Sequence, residues 1–231
     1  MADLQAKLEL LFDAERATRT RHAELAATAD RRALVQALAA QARIAASLED
    51  GAEAELRLSR LAVLLGEVDN DPGSIDALLD ILGSDHPEAR VMAGEVLEAI
   101  AFERFKEVAT GIERALERLP VGSPALSELP YLLAEVGEPG CLKLLGRFLA
   151  HADPEAVAAA IEALAELGDP AGAQLVVPLL RDKRQVEIDD GGESGLVSIG
   201  ALAEEAKDLL TEVGSVRGRG AGPDRRDRQG R

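Results

Sequence analysis

A five-residue phrase recurs four times along this chain and places a strong constraint on its fold. The phrase is apolar at most positions, carries glutamate at the fourth, and occupies residues 64–68, 132–136, 163–167 and 209–213. Glycine follows three of the copies at once, as Gly137, Gly168 and Gly214. Repetition at a period of a few tens of residues is typical of arrays in which each unit stacks on its neighbours. The sequence therefore predicts an array of repeats.

Prolines show that each repeat is a pair of helices. Pro72 and Pro139 precede matching apolar runs, Pro87 and Pro154 precede matching helices, and both pairs are 67 residues apart. Proline suits the first turn of a helix, where its missing N–H has no partner within the helix. We expect Asp153 and Ser123 to cap the second helices of two pairs. The glycines after the phrase are expected to end helices in the left-handed conformation.

These landmarks resemble the HEAT-repeat family, particularly its short bacterial, PBS-lyase-like variety within the armadillo-like helical proteins. The resemblance is carried by residues 153–157 and 163–170, with weaker copies at 86–90 and 132–139. It implies an all-α, right-handed α-solenoid of about five helical pairs over residues 30–214. The chain departs from the family where Val157 and Ala158 replace the usual arginine and where residues 182–197 interrupt the last unit.

The two ends of the chain lie outside the predicted array. Residues 1–29 predict an N-terminal helix, which we expect to cap the first repeat; a coiled-coil handle for dimerisation is the alternative, because Leu4, Leu8 and Leu11 share one face. Residues 215–231 predict a disordered Arg/Gly-rich tail. This tail is interpreted as a solubilising terminus, with weak contact to RNA or to an acidic partner through Arg217–Arg231 as the alternative.

Charge and composition limit the classes of function. The net charge is −16, and because the tail contributes +4, the remaining residues carry −20. Such an acidic body repels phosphate backbones, so we expect no DNA binding by the repeats. There is no long uncharged apolar stretch and no signal peptide, so membrane insertion is not expected and the cytoplasm is the predicted location. The single cysteine, Cys141, is expected in the core.

No residue pattern in the sequence predicts catalysis, a cofactor or a metal. The chain has three histidines and no His-Glu dipeptide, whereas a di-iron enzyme of this repeat type needs many nitrogen and oxygen ligands. A DNA-repair glycosylase is disfavoured by the charge and the absence of tryptophan. A pigment lyase is harder to exclude, since its cleft needs no short motif. The acidic segment 187–194 is expected to be a solvated loop rather than a calcium site, with a recognition loop as the alternative.

The second helices carry an unusual stripe of small or apolar residues where a solvated face would carry lysine and glutamate. Two interpretations stay open. The stripe is core between repeats, or it lines a shallow groove for a partner helix or extended peptide, with acidic flanks that select basic residues. The stripe comprises Ser59, Ala62, Gly66, Val91, Gly94, Ser127, Pro130, Ala134, Ala158, Ile161 and Ala165.

The sequence therefore predicts a non-catalytic scaffold that binds another protein, through a basic or helical or extended segment, along its second-helix face. The alternatives are a pigment-handling lyase and a tether to RNA or a membrane surface through the basic tail. The glutamate of the recurring phrase stands in the last turn of a helix, where the helix dipole disfavours it, which suggests a counter-cation nearby. The predicted partner-binding residues are Arg90, Glu95, Glu98, Tyr131, Glu135, Glu162, Glu166 and Asp208.

Overall fold

The computed structural model describes residues 2–68, 71–190 and 193–220. The chain forms two compact units, Met1–Glu117 and Arg118–Arg231. The first contains α1 (Ala2–Ala26), α2 (Arg31–Ala46), α3 (Gly51–Gly66), α4 (Pro72–Leu82) and α5 (Pro87–Arg118). The second contains α6 (Pro124–Val136), α7 (Cys141–Phe148), α8 (Pro154–Leu167), α9 (Gly172–Val176), β1 (Gln185–Asp190), β2 (Glu193–Ser198) and α10 (Ile199–Gly220).

The predicted helical pairs are present. Following the chain, α2 is followed by α3, α7 by α8 and α9 by α10, while α5 holds two helices merged across a kink at Arg104 (φ −139°, ψ 48°). With that kink as a boundary, the order of helices from α2 onward matches the five pairs predicted. In the second unit α8 packs against α6, α7, α9 and α10, so each pair rests on its neighbour as a repeat array requires.

Aspartate caps begin several of the helices. The carboxylates of Asp30, Asp50, Asp71 and Asp153 each accept a backbone N–H from the first turn that follows. Asp153 also accepts the N–H of Gly122, at 2.7 Å, and is 3% exposed. This carboxylate therefore holds the start of α8 and the turn before α6 together. The cap predicted at Ser123 is wrong, because this buried residue makes no side-chain cap hydrogen bond.

Two of the three predicted terminal glycines end helices. Gly137 and Gly168 both have φ +62° and follow α6 and α8 directly. Gly214 does not end a helix, because α10 continues to Gly220. A Cβ at Gly214 would stand 3.0 Å from Pro170 Cβ. Glycine therefore allows α10 to approach the turn after α8 closely, and it does not serve here as a left-handed helix end.

The segment predicted as a solvated loop contains an antiparallel β-hairpin. Val186 pairs with Val197 and Ile188 with Gly195, and residues 191 and 192, between the two strands, lie outside the described residues. β1 packs against α8 and β2 against α10, and Val186 is buried. The Arg184 guanidinium donates to the backbone oxygens of His151 and Ala152, which ties the base of the hairpin to the turn between α7 and α8.

The first helix does not cover the array as a cap would. The residues from Asp3 to Arg21 are exposed without exception. The helix reaches α3 near its own C-terminus, where His22 Nε2 lies 2.7 Å from Glu67 Oε1. The end of the chain also differs from the prediction. Residues 215–220 prolong α10, and the rest of the predicted tail, residues 221–231, lies outside the described residues.

Candidate partner-binding surface

The stripe of small residues on the second helices is partly core. Ala62, Pro130, Ala158 and Ile161 are buried, which agrees at these positions with the first of the two interpretations left open by the sequence. Val91, in contrast, is 62% exposed, and the other six residues of the stripe are half-buried. The accessible surface therefore includes part of the stripe together with the residues beside it.

In the second unit, that surface is centred on Tyr131. Its hydroxyl donates to the carboxylate of Glu162, so the side chain bridges α6 and α8. Burial raises the pKa of Tyr131, and the hydrogen bond to Glu162 and the charge of Glu166 raise it further. A tyrosine surrounded by carboxylates stays protonated, because ionisation would add another negative charge to theirs.

Two more carboxylates extend this surface, and the sequence did not predict either of them as part of a site. Burial raises the pKa of Glu155, and the charges of Asp153, Glu187 and Glu162 raise it further. Glu187 belongs to β1, so the hairpin adds to the surface beside α8. We call Tyr131 together with the carboxylates of Glu155, Glu162, Glu166 and Glu187 the acidic face. Within the described part of the chain, none of these four carboxylates has a salt bridge.

The spacing of glutamates along α8 could have predicted part of the acidic face from the sequence. Glu155, Glu162 and Glu166 are separated by seven and four residues and so fall on one side of a helix. Helical spacing could not predict Glu187 as part of this face, because its position depends on the β-hairpin. The hairpin itself had a signal in the alternation of Val186 and Ile188 with polar residues before the pair Gly191-Gly192.

In the first unit, a groove of about 990 Å³ runs between α3 and the start of α5. Apolar side chains line it, among them Leu56, which is 59% exposed, with Val63 and Met92. Its charged lining includes three carboxylates, from Glu55, Asp85 and Glu88, against the single arginine, Arg60. The groove therefore combines apolar lining residues with a surplus of carboxylates. We call it the α3–α5 groove.

The structure brings together some of the residues predicted to bind a partner. Tyr131, Glu162 and Glu166 belong to the acidic face, and Glu135 is exposed one turn beyond Tyr131 on α6. Asp208 is exposed on α10, where Lys207 Nζ lies 3.2 Å from its carboxylate. The other three are on α5 in the first unit: Glu95 is exposed, one turn beyond Met92, while Arg90 and Glu98 are half-buried.

Among the glutamates of the recurring phrase, Glu67 has a hydrogen-bonding partner in the His22 ring, which belongs to α1. Burial raises the pKa of the Cys141 thiol, which favours its uncharged form.

Among residues 2–68, 71–190 and 193–220, no group of three or more histidine, cysteine, aspartate or glutamate side chains could hold a metal ion. None of the described helices combines the length and hydropathy needed to span a bilayer.

The sequence comparisons agree with this geometry over one part of the chain. The family model for HEAT repeats matches residues 131–188. This part of the chain is similar to HEAT repeats. The match begins at Tyr131 and takes in α7, α8 and most of β1, so all five residues of the acidic face lie within it, four on helices and Glu187 on the first strand of the hairpin.

Other comparisons add little beyond this HEAT match. No curated protein matches the sequence. Among solved structures, two engineered proteins from the Northeast Structural Genomics Consortium are similar to it. One is 18% identical, with 84% of this chain and 96% of that chain covered and a TM-score of 0.35. The other is 19% identical, with 83% and 90% covered and a TM-score of 0.36.

Proposed function

We propose that this protein is a non-catalytic scaffold, and that its second-helix surfaces bind a basic, amphipathic segment of another protein. Repeat arrays present extended surfaces to partners, and the similarity of residues 131–188 to HEAT repeats supports such a role. The observation that carries the proposal is the acidic face. The charges of Glu155, Glu162 and Glu166 act on Tyr131 there and that of Glu187 acts on Glu155, and a ligand with lysine or arginine would relieve the mutual repulsion of these carboxylates.

The α3–α5 groove indicates that the ligand also carries apolar side chains. Leu56, Val63 and Met92 offer contacts to leucine or methionine side chains, while the surplus of carboxylates favours basic residues at the edges. A helix with apolar residues at i, i+3 and i+4 and basic residues elsewhere matches both requirements. Each of the two surfaces selects the same chemical class of ligand, and each is tested separately.

The acidic face contains its own spectroscopic reporter. Tyr131 is the only tyrosine and the chain has no tryptophan, so tyrosine emission arises within the proposed site. We expect a Leu/Lys amphipathic peptide without aromatic residues to change that emission saturably, with micromolar affinity that weakens as salt is added. A peptide with glutamine in place of every lysine provides the uncharged comparison.

Substitutions distinguish binding at the acidic face from a general attraction of the basic peptide to an acidic protein. The double variant Glu162→Gln/Glu166→Gln should bind the Leu/Lys peptide about tenfold more weakly, since two charges near the ligand are lost. Glu9→Gln/Glu49→Gln removes the same charge at exposed positions elsewhere and should bind as the parent does. Equal binding of the lysine and glutamine peptides, or equal losses in both double variants, would contradict the proposal.

The α3–α5 groove requires a variant of its own. Leu56→Gln removes an exposed apolar contact and leaves the charge unchanged, so it should lower the peptide stoichiometry measured by calorimetry while the tyrosine signal persists. Leu209, 47% exposed on α10, supplies the control Leu209→Gln, which should change neither. A stoichiometry unaffected by Leu56→Gln would remove the groove from the proposal and leave the acidic face to be judged by the fluorescence experiment.

A further inference from the structure

The apolar face of α1 has no partner within the described chain. Leu4, Leu8, Leu11 and Phe12 are between 47% and 66% exposed on a helix of 25 residues. Helices in proteins gain most of their stability from packing an apolar face, and a long helix with such a face uncovered lacks that contribution. Scattered exposed apolar residues need no explanation, but four on one stripe form a patch of the kind that marks an interaction surface.

The spacing of this stripe is that of a coiled coil. Leu4, Leu8 and Leu11 are followed by Glu15, Thr18, His22 and Leu25, and the separations alternate between four and three residues throughout. This places all seven residues on one seam, with Phe12 beside it. The C-terminal end of the seam turns toward the body at His22, which contacts Glu67. The N-terminal half is free along the same side of the helix.

The distribution of charge indicates which helix fits the seam. Residues 3–15 contain four carboxylates and one lysine, a net charge of −3, whereas residues 16–25 contain three arginines and one glutamate, a net charge of +2. A second α1 running antiparallel sets each acidic half beside a basic half. A parallel pair would instead place like charges together and set Glu15 of one copy against Glu15 of the other within the seam.

We propose that α1 is a self-association helix that pairs antiparallel with α1 of a second copy of this chain. Two helices that overlap along α1 extend about 37 Å at 1.5 Å per residue. The Phe12 side chains of both copies meet near the middle, Leu8 of each copy lies against Thr18 of the other, and Leu11 lies against the stem of Glu15. With four large apolar residues from each copy, the contact falls at the lower end of specific interfaces, below about 1,200 Å² in total. The dimer is therefore expected to be reversible, with a dissociation constant of micromolar order.

The first test measures mass against concentration with the full-length protein, by sedimentation velocity and light scattering from 5 to 300 µM. We expect the apparent mass to rise from the monomer value of 24.4 kDa toward twice that value. Leu8→Gln/Leu11→Gln should shift the midpoint at least tenfold in concentration. Leu10→Gln is the matched control on the opposite side of the same helix, where Leu10 is 69% exposed, and it should dimerise as the parent does.

The orientation has a separate readout. Gln5 and Arg19 flank the seam at positions that meet in an antiparallel pair and lie far apart in a parallel pair. When Gln5→Cys and Arg19→Cys proteins are mixed and oxidised, the mixed disulfide should predominate over both homodimers; the native Cys141 is buried and should not compete. A mass that stays at 24.4 kDa up to 300 µM overturns the proposal. Equal loss of dimer in the seam and control variants, or a predominance of homodimers, overturns it as well.

Discussion

At the scale of single residues, two glycines in the first unit determine how closely helices approach. A Cβ at Gly66 would stand 2.5 Å from Val96 Cγ1, and a Cβ at Gly111 would stand 2.4 Å from Ile75 Cγ2. Both distances are well inside van der Waals contact, and the obstructing atoms belong to β-branched side chains with little rotamer freedom. Glycine is therefore required at these positions by packing, although it weakens the helices in which it stands.

Gly111→Ala tests this requirement against helix propensity. Alanine favours the helix by about 1 kcal/mol over glycine, but overpacking against Ile75 costs about 1–3 kcal/mol, so we expect a net loss of stability. Gly94→Ala, on the same helix, meets nothing closer than Leu82 Cδ1 at 3.8 Å and should stabilise the protein. Denaturant unfolding followed by circular dichroism gives both values. A stabilised Gly111→Ala would show that α4 and α5 can move apart at little cost.

At the scale of elements, the sequence predicted several helix ends correctly but did not predict the strand pairing. Gly137 and Gly168 act within one or two turns of their own backbone, as Asp153 does when it caps α8, so these roles follow from local chemistry, whereas the contact of Asp153 with Gly122 does not. Gly214 looked identical in sequence, but Pro170 packs against it and α10 continues. The hairpin at 185–198 was missed because acidic residues and glycines dominate the segment, while its pairing is stabilised by contacts with α8 and α10.

The base of the hairpin is expected to make stability depend on pH. The Arg184 hydrogen bond holds the pKa of Asp182 below its ordinary value. A depressed pKa stabilises the fold above the unfolded value of about 3.9, and that contribution is lost as the pH falls through the lower folded value. Asp182→Asn should therefore lower the free energy of unfolding at pH 7 by about 1 kcal/mol, a value reduced for partial exposure to solvent.

Urea unfolding of Asp182→Asn and of the parent, each at pH 7 and pH 3, checks this expectation. The difference between the two proteins should shrink at pH 3, because that pH lies below the unfolded pKa and the contribution of the depressed pKa diminishes there. Glu138→Gln, an exposed carboxylate in the turn before α7, is the control and should differ little from the parent at either pH. A difference that is the same at both pH values would mean that the Asp182–Arg184 contact contributes through packing and not through charge.

At the scale of the whole molecule, the net charge of −16 is the dominant property. Repulsion among like charges opposes the compact state, and dissolved salt screens it. The acidic face contributes to this repulsion, since burial raises the pKa values of Tyr131 and Glu155 and the neighbouring carboxylates raise them further. Stability and partner binding are therefore coupled, because a basic ligand and added salt would relieve the same repulsion.

Salt should accordingly stabilise the free protein. Between 10 and 100 mM NaCl the screening length falls from about 30 to about 10 Å, and we expect the unfolding temperature to rise by about 2–4 °C, the shift that 1 kcal/mol produces at this size. The triple variant Glu155→Gln/Glu162→Gln/Glu166→Gln should start at a higher temperature and respond less. Differential scanning calorimetry measures both. An unchanged unfolding temperature would mean that the acidic face is not under electrostatic strain.

The sequence by itself determined the repeat, the helix pairs and the cap at Asp153, because these depend on the order of residues along a few turns of backbone. It also placed Tyr131, Glu162 and Glu166 among the residues expected to bind a partner. The tertiary structure alone decided which residues of the small-residue stripe are buried, that Glu187 joins the acidic face and that α1 leaves the N-terminal half of its seam uncovered. Each of these outcomes depends on contacts between elements that are tens of residues apart in sequence. Burial and electrostatic repulsion arise from those contacts, so the order of residues along one helix does not predict them.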